Sequence, residues 1–425
     1  MTSSGGAPGN QFSTRVGLRF GGLVIARTVA RVVAALLLAV ALLNIARVLG
    51  PEAFGGFSLT LSVAYFLSAL FGVGASTRIL RIQAEHEGER LASALLLTRV
   101  GSALLAAGIS LAVGHFSGGG GAVILGIAIA FSDSICEFSQ GYLAAMGRQL
   151  TSALVVVSQR VVLVVVVLMT LEDAHALVIS VAIALICFAA VVTIPPLCAW
   201  RRPFSVAFVV KTSVGYWFSS LASNISQLEA PMLKIASNAQ AVGLYAIAGR
   251  IANPLTIVIG AMQTVFVPEL SKRISTPAFR PLFSLFLAIS AGYAAILILL
   301  SPVIASLAIL FLGDDYEGAR PLLIAMSVAA GLSAVSQAFQ ARLLAHGRPG
   351  ISAWIVGIAS LMGVALLGGV GAWSAEKIWI VPIIVQTTIL IGLALAGRVE
   401  MPDQRGFNRG KLREDRDKNC QLPKA

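Results

Sequence analysis

Twelve times along this chain of 425 residues the sequence runs for about 20 residues through apolar side chains with hardly a charge. Coiled as helix at 1.5 Å per residue, a run of that length matches the hydrocarbon thickness of a bilayer, and a water-soluble core has no use for twelve of them. The composition points the same way. The chain is 57% hydrophobic and 12% charged, against about 25% charged for soluble domains, with a mean hydropathy of +0.88. We place the spans near 20–46, 56–76, 91–114, 121–146, 151–171, 176–198, 214–236, 242–268, 281–312, 320–345, 350–373 and 378–397. All are expected to be helical, because backbone facing lipid must satisfy its own hydrogen bonds. The spans leave short connections, two tails and no space for a separate aqueous domain. That excludes a nuclease, a kinase or a dinucleotide-binding enzyme.

The net charge of +12 would suit a nucleic-acid binder, but membrane proteins gather Lys and Arg on their cytoplasmic side. Connections on the side of the N-terminus carry Arg15 and Arg19; Arg78, Arg81 and Arg90; Arg148; Arg201, Arg202 and Lys211; Lys272, Arg273 and Arg280; Arg348; and the basic C-terminal tail. The opposite connections hold only Arg47, Lys234, Arg320 and Lys377, together with acidic groups at Glu172, Asp173, Asp314, Asp315 and Glu317. Twelve spans with both termini in the cytoplasm follow, in a cell inner (plasma) membrane. The expected division is a cytoplasmic tail at 1–19, an N-lobe of six spans at 20–205, a C-lobe of six spans at 206–397 and a basic, disordered tail at 398–425. Cys136, Cys187, Cys198 and Cys420 show no metal-binding spacing, and the four histidines lie in or near loops without partners. No cofactor, metal or nucleic-acid partner is therefore expected.

Two segments repeat. Glu52-Ala-Phe-Gly-Gly-Phe-Ser58 faces Gln240-Ala-Val-Gly-Leu-Tyr-Ala246 at an offset of 188, and Gln140–Arg148 faces Gln340–Arg348 at an offset of 200. The first pair precedes spans 2 and 8, and the second ends spans 4 and 10. Both keep the order and sidedness of a six-plus-six duplication about an axis along the membrane normal.

Ionisable groups at bilayer depth cost about 2.5 kcal/mol or more, so each that cannot snorkel to water marks a candidate functional site. Arg160 stands twelve residues from Arg148 and twelve from Glu172, about 18 Å of helix either way, which puts it near the middle of its span. Arg99, nine residues beyond Arg90, is about 14 Å deep. Arg31 is separated from Arg47 by less helix than the hydrocarbon thickness, and Arg27 lies one turn below on the same face. Together Arg27, Arg31, Arg99 and Arg160 make a cationic cluster in the first half. Asp133 and Glu137, at i and i+4 on span 4, can neutralise some of these arginines or couple transport to an ion. Their counterparts in the second half are Ser333 and Gln337. Spans 7 and 10 carry polar stripes, Ser220, Ser223, Asn224 and Gln227 ending at Glu229, and Ser333, Ser336, Gln337 and Gln340. Their spacing suits a wet cavity between the halves. Lys234 and Arg250 are placed to add positive charge at its outer mouth.

The segment Ala46-Arg-Val-Leu-Gly-Pro-Glu-Ala-Phe-Gly-Gly-Phe-Ser-Leu59, after an Arg-bearing first span, resembles the first loop of the polysaccharide transporter family. That family holds the O-antigen and capsule flippases of the multidrug/oligosaccharidyl-lipid/polysaccharide superfamily. The stretch Gln227-Leu-Glu-Ala-Pro-Met-Leu-Lys-Ile-Ala-Ser-Asn-Ala-Gln-Ala-Val-Gly-Leu-Tyr-Ala-Ile-Ala-Gly-Arg250 is similar to the same family's seventh-to-eighth span signature. The resemblance implies two six-helix lobes in a V around a central cavity. It also implies movement of undecaprenyl-diphosphate-linked oligosaccharides from the inner to the outer leaflet by alternating access. One departure is Glu229, where that family often has Asp.

These readings assign substrate binding to Arg27, Arg31, Arg99, Arg160, Asn224, Gln227, Arg250 and Gln337, and ion coupling to Asp133, Glu137 and Glu229, with H+ or Na+ as the coupling ion. The expected partners are the lipid-linked oligosaccharide, membrane lipids and the polysaccharide polymerase and export machinery. Two other functions compete. A cation or drug antiporter of the same superfamily would use Asp133 and Glu137 as its protonatable pair, but mid-membrane arginines outnumber those carboxylates. A membrane-embedded sugar polymerase or ligase needs an external catalytic loop, and the longest outer connection is too short to fold over a sugar.

Overall fold

A computed structural model of the chain describes residues 9–84, 88–116, 120–274, 276–346 and 348–398. The C-terminal tail expected to be disordered lies outside the described residues, as does the start of the N-terminal tail. The described chain is helical nearly throughout and contains no strand. Ten helices among these residues are long and apolar enough to cross a membrane, and a shorter apolar helix covers Val206–Phe218.

Ten become twelve for two physical reasons. The first is a break in the helical run Gly9–Phe71, where Gly50 takes φ 72° and ψ 167°. Only glycine enters that left-handed region without a Cβ penalty. Pro51 then opens the next helix, at a place where its missing N–H costs nothing. Residues 9–49 and 51–71 are thus spans 1 and 2. The second reason is span 7, which runs as Val206–Ser223, loosens into a tighter turn at Ile225–Leu228 and resumes at Glu229–Ala236. Neither helical piece alone crosses a bilayer. The break falls on the polar stripe, where the Asn224 side chain bonds back to the Ser220 carbonyl at 2.8 Å and competes with the helix ladder.

The other spans are 3 (Gly88–Phe116), 4 (Ala122–Ala145), 5 (Gln149–Met169), 6 (Ala174–Val192), 8 (Ala239–Lys272), 9 (Phe279–Leu312), 10 (Arg320–Ala345), 11 (Pro349–Trp373) and 12 (Ile380–Arg398). Their bounds fall close to those read from the sequence. The largest differences are at the first span, which begins at Gly9, and the seventh, which begins at Val206 with Ser205 as its N-cap. Trp217 lies well inside span 7 and donates its indole N–H to the Leu70 carbonyl at 2.7 Å.

Spans 1–6 and 7–12 form the two lobes of a twelve-helix fold. Large apolar side chains such as Leu154, Ile186, Leu299 and Leu310 stand exposed, as they can where acyl chains replace water. The lobes meet in two bands. On the side away from the N-terminus, spans 2 and 8 cross with their backbones in contact. A Cβ on Gly55 would lie 1.8 Å from the Ala239 carbonyl oxygen, and one on Gly243 would lie 1.9 Å from that of Pro51. The contact is reciprocal at the offset of 188, since Pro51 maps onto Ala239 and Gly55 onto Gly243. The duplication read from the sequence is therefore a two-fold relation in space. Close by, the buried Tyr316 hydroxyl donates to the Ala46 carbonyl at 2.7 Å. On the N-terminal side, Arg78, only 3% exposed, donates to the hydroxyls of Thr212 and Ser213 at 2.6 and 2.7 Å.

Candidate functional site

Between the two bands lie two cavities that share a wall. One, of about 430 Å³, is lined from the N-lobe by Tyr65, Arg99, Asp133, Glu137, Gln159 and Arg160, and from the C-lobe by Ser220, Asn224, Gln227 and Arg250. The other, of about 400 Å³, lies against the C-lobe and includes Ser58, Ser62, Glu229, Tyr245, Asn253, Ser333 and Gln386. Gln227 and Arg250 line both. Each volume falls in the range of small-molecule sites.

Helical depth delivers Arg99 and Arg160 to the first cavity, and tertiary packing gives each a partner. Arg160 forks onto Asp133 with Nη1···Oδ1 2.9 Å and Nη2···Oδ2 3.0 Å. Asp133 also accepts from the Gln159 amide at 2.7 Å and from the Tyr65 hydroxyl, so its lone pairs are nearly filled. Arg99, 5% exposed, donates to Glu137 at 2.7 Å, to the Ser134 carbonyl at 2.9 Å and to the Ser68 carbonyl at 3.4 Å. The Ser68 and Ser134 hydroxyls bond each other at 2.8 Å. The geometry is that of a charge-paired network, buried at Arg160 and Asp133 and open at Glu137, whose side chain is 62% exposed; Arg160 Nη1 touches Asp133 by charge alone and makes no hydrogen bond.

Two charges in the shared cavity stay outside this network. Arg250 has no carboxylate partner among the described residues. Glu229 has no basic partner among them and accepts only from the Tyr245 hydroxyl, at 3.0 Å. Formal charge across both cavities is thus balanced, with Arg99, Arg160 and Arg250 against Asp133, Glu137 and Glu229. This differs from the excess of arginine expected from the sequence.

The cluster of four arginines is not assembled as such. Arg31 is exposed and belongs to neither lining. It stands seven residues before Leu38, which does line the charged cavity, so it shares that helix face about 10 Å toward the N-terminal end. The Arg27 side chain lies outside the described residues. Gln337 also lies off both linings; its backbone carbonyl accepts from Gln263 at 2.9 Å, in a contact between spans 8 and 10. Asn224, Gln227, Arg250, Asp133, Glu137 and Glu229 all reach a cavity wall.

Sequence reasoning missed Tyr65, Gln159 and Tyr245, as well as Ser58 and Ser62. A signal existed for three of them. Ser58, Ser62 and Tyr65 are spaced four and three apart on span 2, the same pattern that drew notice to spans 7 and 10. No metal-binding group of His, Cys, Asp and Glu occurs among the described residues.

A comparison with curated proteins finds no match. Among solved structures, the chain is similar to the lipid II flippase MurJ in an inward closed conformation, with a TM-score of 0.68 and 14% identity over 88% of this chain and 87% of that one. It is also similar to an inward-facing multidrug resistance MATE transporter of the MOP superfamily, with a TM-score of 0.63 and 18% identity over 86% and 94%. A MOP superfamily transporter from Pyrococcus furiosus gives 0.55 and 15% over 88% and 94%. These likenesses show the fold, in which two six-helix lobes face each other across a cavity. Residues 23–273 match the family described as "Polysaccharide biosynthesis protein", and the chain belongs to that family.

Proposed function

We propose that the chain is a flippase that moves an isoprenoid-diphosphate-linked oligosaccharide, built for O-antigen, capsule or exopolysaccharide, from the inner to the outer leaflet by alternating access. The observation that carries this reading is the cavity between the lobes, in which Arg99 and Arg160 stand at mid-span and Arg250 faces them without a carboxylate partner among the described residues. A diphosphate has the charge and the oxygen geometry to engage guanidinium forks, and low dielectric strengthens the attraction. The fold shared with a protein named a lipid II flippase supports a lipid-linked substrate. The basic connections on the N-terminal side support cytoplasmic termini in an inner membrane.

The carboxylates give the cycle its return step. With the cavity empty, Asp133 and Glu137 neutralise Arg160 and Arg99. The entering diphosphate competes for the same guanidiniums. Asp133 is then left with Tyr65 and Gln159, and release of the diphosphate lets the ion pair form again. Substrate binding and opening of the ion pair are linked in this way through a shared partner.

The test is complementation of a strain that lacks its own flippase for lipid-linked oligosaccharides, scored by surface polysaccharide. Arg160→Ala and Arg250→Ala should each abolish it when surface polysaccharide is scored per molecule of protein in the membrane. Full surface polysaccharide in both variants contradicts the reading. Glu229, a carboxylate without a basic partner among the described residues, favours a second reading as a cation antiporter of the same superfamily. Resistance to cationic dyes that depends on Glu229, in cells whose polysaccharide is not restored, selects that reading instead.

A further inference from the structure

The two cavities differ in how much hydrogen-bonding capacity they leave over. In the charged one, most donors and acceptors are used on one another: Asp133 accepts from three side chains, Arg99 donates to three oxygens and Ser68 bonds Ser134, which leaves Arg160 Nη1 buried without a hydrogen bond. In the neighbouring cavity the reverse holds. The Ser58 hydroxyl is buried with no partner, in a residue only 2% exposed. The side chains of Ser62, Asn253, Ser333 and Gln386 line the same space and have no protein partner among the described residues. A buried polar group without a partner costs about 1–3 kcal/mol, which the Ser58 hydroxyl pays here, and the open side chains of Ser62, Asn253, Ser333 and Gln386 around it suit a polar occupant that would satisfy them.

The chemistry of that array is specific. It consists of hydroxyls and amides, which both donate and accept, arranged around about 400 Å³ with apolar patches from Pro382 and Val385. Apart from Arg250, which it shares with the charged cavity, its one ionisable group on the acid side is Glu229. Neutral polyols with apolar C–H faces match such a surface, whereas a free anion or an extended alkyl chain does not.

Position supplies the link. Gln227 and Arg250 belong to both walls, and Ser58, Ser62 and Tyr65 run along one face of span 2 from the neutral cavity to the charged one, about 10 Å of helix. A ligand with its diphosphate against Arg160 and Arg250 extends directly into the neutral cavity.

We infer that this C-lobe cavity is a sugar subsite, which holds the first sugars beyond the diphosphate and accepts neutral sugars in preference to acidic ones. The inference rests on the diphosphate reading of the charged cavity. Asn253, Gln386, Ser62 and Ser333 supply hydrogen bonds to ring hydroxyls and acetamido groups. Glu229, held by Tyr245, accepts from hydroxyls and repels a uronate carboxylate, which makes it the residue that sets selectivity.

The test uses the full-length protein in nanodiscs and three short-chain probes: farnesyl diphosphate, farnesyl-diphosphate-N-acetylglucosamine and farnesyl-diphosphate-glucuronic acid. Binding of the neutral-sugar probe is expected to exceed that of bare diphosphate by about tenfold, the worth of one or two net hydrogen bonds. The acidic probe should gain nothing. In the double variant Asn253→Ala/Gln386→Ala the gain should vanish while affinity for farnesyl diphosphate stays at the wild-type level, which also shows that the variant is folded. Glu229→Gln should raise the affinity of the acidic probe toward that of the neutral one. Equal binding of the bare and neutral-sugar probes, or a gain that survives the double variant, overturns the subsite and leaves the diphosphate reading standing. Failure of farnesyl diphosphate to bind at all overturns both.

Discussion

At the scale of single residues, the account turns on what happens when a buried charge loses its partner. Arg160 and Asp133 have side chains 14% and 13% exposed, and removing one member of such a pair costs about 3 kcal/mol, because the other is left buried and unpaired. Arg160→Ala should therefore lower thermal stability measurably, and the double variant Arg160→Ala/Asp133→Ala should recover most of the loss. Strict additivity in that cycle is the outcome that removes the coupling. Arg250→Ala, by contrast, breaks no ion pair among the described residues, so it should impair transport with little change in melting temperature. Equal destabilisation by both single variants argues that Arg250 is structural. The depth of Arg160 was legible by counting residues from Arg148 and Glu172, because helical rise is a local property. Its fork onto Asp133 was not, since the two residues are brought together by the packing of spans 4 and 5, and the sequence showed only that a partner was within reach. Arg31 shows the converse limit: its depth could be counted, but which neighbours its helix face would meet could not.

At the scale of helices, the approach of spans 2 and 8 depends on two glycines. A side chain at Gly55 or Gly243 would enter the carbonyl of the facing span, so Gly55→Leu and Gly243→Leu should each hold this side of the molecule apart. Cysteine accessibility of Ser58→Cys in a cysteine-free background reads the effect. Labelling should rise several-fold from the side of Glu52, and transport should fall; unchanged labelling and transport in both variants leaves the crossing without a role. The offset of 188 puts these two glycines in register in the sequence itself, and the gap between the apolar runs 20–46 and 56–76 contains the Gly50-Pro51 pair at which the helix breaks. The break in span 7 was less visible. Polar residues at helical spacing read equally well as one wet face of a straight helix, and only competition between Asn224 and the backbone decides for a turn. In the connection before span 10, two hydrogen bonds from Arg320 hold the Glu317 carboxylate below its ordinary value. The contribution of this exposed pair is present at neutral pH and fades as pH falls through that lowered value. Titration of Glu317 by NMR should show the shift and lose it in Arg320→Gln; an ordinary value in the parent protein means the pair does not persist.

At the scale of the whole molecule, twelve spans and two related lobes followed from apolar runs, charge sidedness and repeats, all of which report physical constraints imposed by the bilayer itself. The site was legible only in part. Membrane depth singles out charged residues, so Arg99, Arg160, Asp133 and Glu137 stood out, while neutral groups such as Ser62, Asn253 and Gln386 cost little in a helix and send no such signal. The division into a cavity of ion pairs and one lined mostly by hydroxyls and amides is a property of the assembled lobes. The topology has a simple check: cysteines at Asp314 and Arg348 should be labelled from opposite faces of the membrane, and labelling from one face overturns the span count. The central claim is that the guanidiniums between the lobes hold the diphosphate of a lipid-linked sugar. A map of the full-length protein bound to farnesyl-diphosphate-N-acetylglucosamine measures it most directly. The account predicts both phosphates within hydrogen-bonding reach of Arg160 and Arg250, with Asp133 released from its fork. Phosphates resting elsewhere, with the Arg160–Asp133 pair intact, would contradict it.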